Sequence, residues 1–137
     1  MKLSKTSEYA VRILSLMACD TSRSYSAKEL IEKLRISDKY LRRLMTSLTK
    51  AGLIFSTQGR NGGYSFAKKS SEISIAKIID VVEGTEKYFG CILGFERCDD
   101  KNPCSMHNVW SSTRDKLFKT FNETTLADLN KEKISKF

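Results

Sequence analysis

Apolar positions along this chain recur at helical spacing in successive blocks, separated by two strand-like runs and one stretch without any period. Ala10, Ile13, Leu14 and Met17 predict a first helix over about residues 4–19. Ser26-Ala-Lys-Glu29 has the form of a capping box, in which the serine oxygen accepts from a free backbone N–H and the glutamate reaches back. It opens a short helix with Leu30, Ile31 and Leu34 on its inner face. After a turn at Arg35-Ile36-Ser37, Leu41, Leu44, Met45 and Leu48 form one stripe of a helix over about 38–50, capped by Ser37 and ended near Gly52. Leu53–Thr57 and Tyr64–Ala67 read as strands, joined by the link Gln58-Gly-Arg-Asn-Gly-Gly63 that a tight hairpin needs.

A further helix follows from Ser74 to Val82, with Ile75, Ile78, Ile79 and Val82 inward. Residues 84–106 lose periodicity and hold three of the four cysteines and the single proline. A long helix resumes over about 105–122 with Trp110, Thr113, Leu117 and Phe121 along one side, and Thr125-Leu-Ala-Asp128 caps a last helical turn. The expected fold is mainly α with a small β-hairpin wing. Two short helices joined by a tight turn, followed by a glycine-rich hairpin, make a winged helix-turn-helix. The chain divides into a winged-helix unit over 1–83, a cysteine-containing loop over 84–106, and a long helix with its C-terminal turn over 107–137.

Charge sharpens that division. Of the net +8, residues 1–83 carry 15 Lys+Arg against 8 Asp+Glu, whereas 84–137 carry 9 against 8. From Lys33 to Lys69 there are nine basic residues and a lone acid, Asp38. A field of one sign on one segment attracts phosphate backbones. Lys39, Arg42, Arg43 and Thr46 stand at i, i+3, i+4 and i+7 of the third helix and share its outward face. A major groove admits such a helix, and Arg42 or Arg43 is the candidate for a bidentate guanine contact, against the plainer role of a phosphate contact. Arg60 at the wing tip is placed for a minor groove. No window approaches a membrane span. The run Ile13–Cys19 is interrupted upstream by Glu8 and Arg12, so it reads as an amphipathic helix rather than a leader, and the expected location is cytoplasmic.

Cys91, Cys98, Cys104 and the single histidine, His107, have the spacing Cys-x6-Cys-x5-Cys-x2-His. Thiolates and imidazole suit zinc and iron–sulfur clusters. Structural zinc knuckles favour closer ligand pairs, so wide spacing on a glycine-containing loop fits a larger cluster better, with zinc and plain packing as rivals. Cys19 stands apart on the first helix and reads as a core residue. Cys104 and His107 as nucleophile and base lack any identifiable oxyanion hole or orienting partner, so no enzyme is expected.

With the opening Met-Lys-Leu-Ser…Tyr9-Ala-Val, Tyr40-Leu41, the wing Gly59-Arg-Asn-Gly-Gly-Tyr64, the three cysteines and the closing Thr125-Leu-Ala-Asp-Leu129, the chain resembles the Rrf2 family of winged-helix regulators along nearly its whole length. Cys104-Ser-Met-His107-Asn-Val-Trp110 looks most like its IscR-like iron–sulfur branch. The first cysteine gap is one residue longer than that branch usually has, and Gln58 stands where many relatives carry an arginine, leaving that role to Arg60. The resemblance implies a homodimer on a palindromic operator, with the long helix paired to its twin, and counts Tyr40 with the DNA-binding positions. It implies a [2Fe–2S] cluster on Cys91, Cys98, Cys104 and His107. The NsrR-like alternative is a [4Fe–4S] cluster completed by Glu8 of the partner subunit; the plainer role of Glu8 is to complement the dipole of its helix. The function so implied is a transcriptional regulator, in the manner of a repressor, sensing iron–sulfur status, redox state or nitric oxide. The alternatives are a cluster-free regulator of the cysteine-metabolism type and a zinc-stabilised DNA-binding module.

Overall fold

Five of the seven α-helices among the described residues start where a hydroxyl oxygen closes the first turn. The computed structural model describes residues 2–130. In it Ser4, Ser26, Ser37 and Ser74 accept from the backbone N–H three residues on and open α1 (Lys5–Met17), α2 (Ala27–Leu34), α3 (Asp38–Lys50) and α4 (Ile75–Glu83). Between α3 and α4 lie β1 (Ile54–Thr57), β2 (Gly63–Phe66) and a 3₁₀ turn at Ser70–Glu72. After α4 come α5 (Glu86–Phe89), α6 (His107–Glu123) and α7 (Leu126–Leu129), the last capped reciprocally by Thr125 and Asp128.

One core joins these elements. Ile13, Leu14 and Met17 of α1, Leu30 of α2, Leu41, Met45 and Leu48 of α3, and Ile78 and Ile79 of α4 are all fully buried. Each such side chain contributes about 1.5–3 kcal/mol relative to exposure. Leu126 is equally buried in the same cluster, because the chain returns after α6 to lie beside the start of α4. There Ile75 N–H donates to the Thr124 carbonyl (2.9 Å) and Leu126 N–H to that of Ile73 (3.0 Å). The C-terminal turn is thus packed into the same core as α1–α4.

The strands pair antiparallel from Ile54 opposite Phe66 to Thr57 opposite Gly63. Tyr25, in the α1–α2 connection, exchanges two 2.8 Å hydrogen bonds with Tyr64 and fastens the wing to the helices. Gly63 is required there: a Cβ would lie 2.5 Å from the Tyr25 carbonyl oxygen.

Three details depart from the sequence reading. The aperiodic stretch contains the short helix α5. Glu29 does not reach back to its cap, since both carboxylate oxygens are taken by Arg23 (2.6 and 2.9 Å). Cys19 is exposed rather than in the core, because α1 ends at Met17 and Ala18 is its C-cap. Apart from these, the Trp110 and Phe121 stripe of α6 is used within the chain: the indole N–H donates to the Gly90 carbonyl (2.8 Å), and Phe121 packs edge-on against Phe89.

Candidate nucleic-acid interface and metal centre

The outward face of α3 is built by subtraction, since Leu41, Leu44, Met45 and Leu48 are consumed by the core. Lys39, Arg42, Arg43 and Thr46 are left exposed together. Arg42 is paired through Nε to both carboxylate oxygens of Asp38, each at 2.9 Å. Tyr40 points the other way: it is half-buried, its ring meets Tyr9 edge-on at 5.7 Å, and its hydroxyl donates to Thr6 Oγ1 at 3.1 Å. It joins α3 to α1 instead of facing outward. Arg60 is exposed in the loop between β1 and β2. An open cleft of about 220 Å³, lined by Ala27, Arg42, Thr57 and Tyr64 among others, separates α3 from the wing.

The cysteine loop folds its donors into two pairs. Cys91 Sγ lies 3.8 Å from Cys104 Sγ, and Cys98 Sγ lies 3.6 Å from His107 Nδ1. Among the described residues no three His, Cys, Asp or Glu side chains gather about a single point. His107, first residue of α6, is 4% exposed, and its Nε2 meets Asp100 Oδ1 at 2.7 Å. A carboxylate on the outer nitrogen fixes the tautomer that leaves Nδ1 free to ligate. Sequence spacing does not single out Asp100; an acid inside a ligand loop is the signal that finds it. Burial pushes the Cys91 thiol up, but backbone N–H groups of Phe95, Leu93 and Gly94 and the Cys104 side chain outweigh it and hold the thiol below its ordinary range.

Two further carboxylates are both held below the usual range, by different partners. Glu8 Oε2 pairs with Lys5 Nζ at 3.1 Å, and that bond, with the charges of Lys5, Lys2 and Arg12, holds its carboxyl below the usual range. Glu83 is the last residue of α4. Its Oε1 accepts from the hydroxyls of Ser4 (2.6 Å), Ser7 and Tyr88 (2.9 Å). Burial raises its carboxyl, and these donated bonds together with Lys87 bring it below the ordinary value. Tyr88 also accepts from Ser4 N–H at 2.7 Å. The segment just before Cys91 is therefore bonded to α1 on one side and, through Gly90 and Phe89, to α6 on the other.

Comparison with known proteins gives these features a setting. The family model described as "Rrf2: Iron-dependent Transcriptional regulator" matches residues 3–132. The chain is 33% identical to the HTH-type transcriptional regulator NsrR of Oceanobacillus iheyensis, over 96% of this chain and 90% of that protein. Its fold superposes on CymR, the global cysteine regulator of B. subtilis, with a TM-score of 0.78 at 29% identity, covering 96% and 97% of the two chains. It superposes on T. potens IscR with a TM-score of 0.76, again at 29% identity, covering 96% and 87%.

Proposed function

Because the chain belongs to the Rrf2 family of transcriptional regulators, we propose that its DNA affinity is governed by an iron–sulfur cluster held by Cys91, Cys98, Cys104 and His107. Like its relatives it is a winged-helix, DNA-binding transcriptional regulator and not an enzyme. No helix among the described residues is long and apolar enough to cross a membrane.

The observation that carries the reading is the pairing of the donors. Two thiolates at about 2.3 Å from one tetrahedral ion stand about 3.8 Å apart, and a thiolate and an imidazole nitrogen about 3.6 Å. Cys91 with Cys104 (3.8 Å) and Cys98 with His107 (3.6 Å) match those two edges. A two-iron cluster takes two protein ligands per iron and so calls for two close pairs; a four-iron cube takes one per iron. The donor set therefore favours [2Fe–2S], with Glu8, engaged by Lys5, outside it. When bound, the cluster supplies an iron- and redox-sensitive charge to the loop.

The chain's own contacts supply a route from loop to reading helix. Trp110 holds Gly90, Tyr88 bonds Glu83 and Ser4, and Thr6 of α1 receives the hydroxyl of Tyr40 on α3. A change in the position of Cys91 acts on α5 and from there on the seating of α1 against α3. We further propose a homodimer formed along α6, where Val109 is 68% and Phe118 42% exposed, setting two α3 helices on a palindromic operator in the cytoplasm. Residues 1–83 then read DNA, 84–106 hold the cluster and 107–137 dimerise, the last seven of these lying outside the described residues.

Anaerobic purification tests this directly. Coloured protein with matched iron and sulfide, whose operator affinity changes when the cluster is removed, is the expected result. Colourless protein without iron or sulfide, prepared under the same conditions, refutes it. One observation favours a second reading in that event: Cys91, with its lowered thiol, faces Cys104, and an external oxidant taking two electrons and two protons would join them as a disulfide.

A further inference from the structure

On the exposed face of α3 we infer that Asp38 and Arg42 act as one reading unit, in which Asp38 orients the Arg42 guanidinium so that its end fork meets a guanine. The inference rests on α3 being the DNA-reading helix. Asp38 engages only Nε, with both oxygens at 2.9 Å. Neither Nη group of Arg42 makes a hydrogen bond among the described residues. Those two groups are the parallel donors that fit O6 and N7 of guanine in the major groove.

Three physical arguments support the assignment. Asp38 is the lone acid among nine basic residues from Lys33 to Lys69, on the face that would approach phosphates. A carboxylate there opposes DNA binding unless it does something for recognition. The pair adds little to folding, because both side chains are well exposed (60% and 57%). What the pair does supply is order. An arginine held before binding loses less freedom on contact, and its planar fork is aimed in one direction. Lys39 and Arg43, on the same face, take part in no ion pair among the described residues and remain free to follow the backbone. Thus Arg42 specifies, and its neighbours position.

The test uses full-length protein and duplexes selected from a random pool by the wild type. Each guanine in the selected site is replaced in turn by 7-deazaguanine, which lacks the N7 acceptor. Wild type should lose roughly 5- to 150-fold in affinity at one guanine per half-site. Arg42→Ala should abolish that penalty and no other. Asp38→Asn should shrink the same penalty several-fold while unrelated duplexes bind more tightly, because a charge that repels phosphate is gone. Arg43→Ala should weaken all duplexes alike. An Asp38→Asn protein with the wild-type penalty at every guanine overturns the inference, as does an Arg42→Ala protein weakened evenly across sequences. If no substitution at Lys39, Arg42 or Arg43 alters affinity for any duplex, the assignment of α3 as reading helix falls and takes this inference with it, whatever the iron content.

Discussion

Tyr88 and Glu83 are linked by a 2.9 Å hydrogen bond at the junction of the cysteine loop and the winged helix. The same hydroxyl accepts from the Ser4 backbone N–H, so one phenol ties α5 to both α4 and α1. Tyr88 is 9% exposed, and water cannot readily replace it.

Tyr88→Phe should therefore cost about 0.5–1.5 kcal/mol of stability, the usual net worth of a hydrogen bond, since Glu83 keeps its Ser4 and Ser7 donors. If the proposed route is right, the variant keeps its iron, yet the ratio of DNA affinities with and without cluster moves towards one. Urea unfolding measures the first effect and fluorescence anisotropy on operator DNA the second. An unchanged ratio in a destabilised variant would leave Tyr88 a purely structural residue.

Glu83 predicts a pH dependence with a definite sign. Its carboxyl lies below the ordinary glutamate value of 4.5 when folded, so the unfolded chain binds more protons as pH falls. The stabilisation is fully present above the unfolded value and is lost as pH drops through the folded one. Between about pH 5 and pH 3 the wild type should lose stability more steeply than Glu83→Gln. Parallel curves for the two proteins would refute this.

Asp100→Asn probes the outer nitrogen of His107. Removing a carboxylate behind a ligating imidazole weakens metal retention by about 10- to 100-fold. Reconstituted variant protein should surrender its iron to a chelator correspondingly faster than wild type. Apo-protein stability should not change, because the Asp100 side chain is 97% exposed.

Binding to DNA should be steeply salt dependent. A dimer neutralising about 6–10 phosphates loses about 10³–10⁵ in affinity from about 50 to 200 mM salt. Arg60→Ala should lower the slope of log affinity against log salt by roughly one per bound protomer if it meets a phosphate. A flat response in the wild type would exclude the basic face of α3 and the wing as the contact surface.

What the sequence determined by itself is whatever depends on neighbours in the chain. Serine caps, apolar stripes and the glycine-rich link are local signals, and they predicted α1–α4, the hairpin, α6 and α7 to within a few residues. The run of three cysteines and one histidine and the basic outward face of α3 were equally legible, because they are matters of residue type and spacing. Tertiary structure decided the relationships between distant positions. It chose which cysteine stands beside which donor, gave the Glu29 carboxylate to Arg23 in place of its own cap, and turned Tyr40 inward to Thr6. It also gathered Ser4, Ser7 and Tyr88 around Glu83, across separations of 79, 76 and 5 residues. Periodicity records which face of a helix is apolar, but a polar side chain finds its partner only after the core has brought two remote faces together, and no local pattern encodes that meeting.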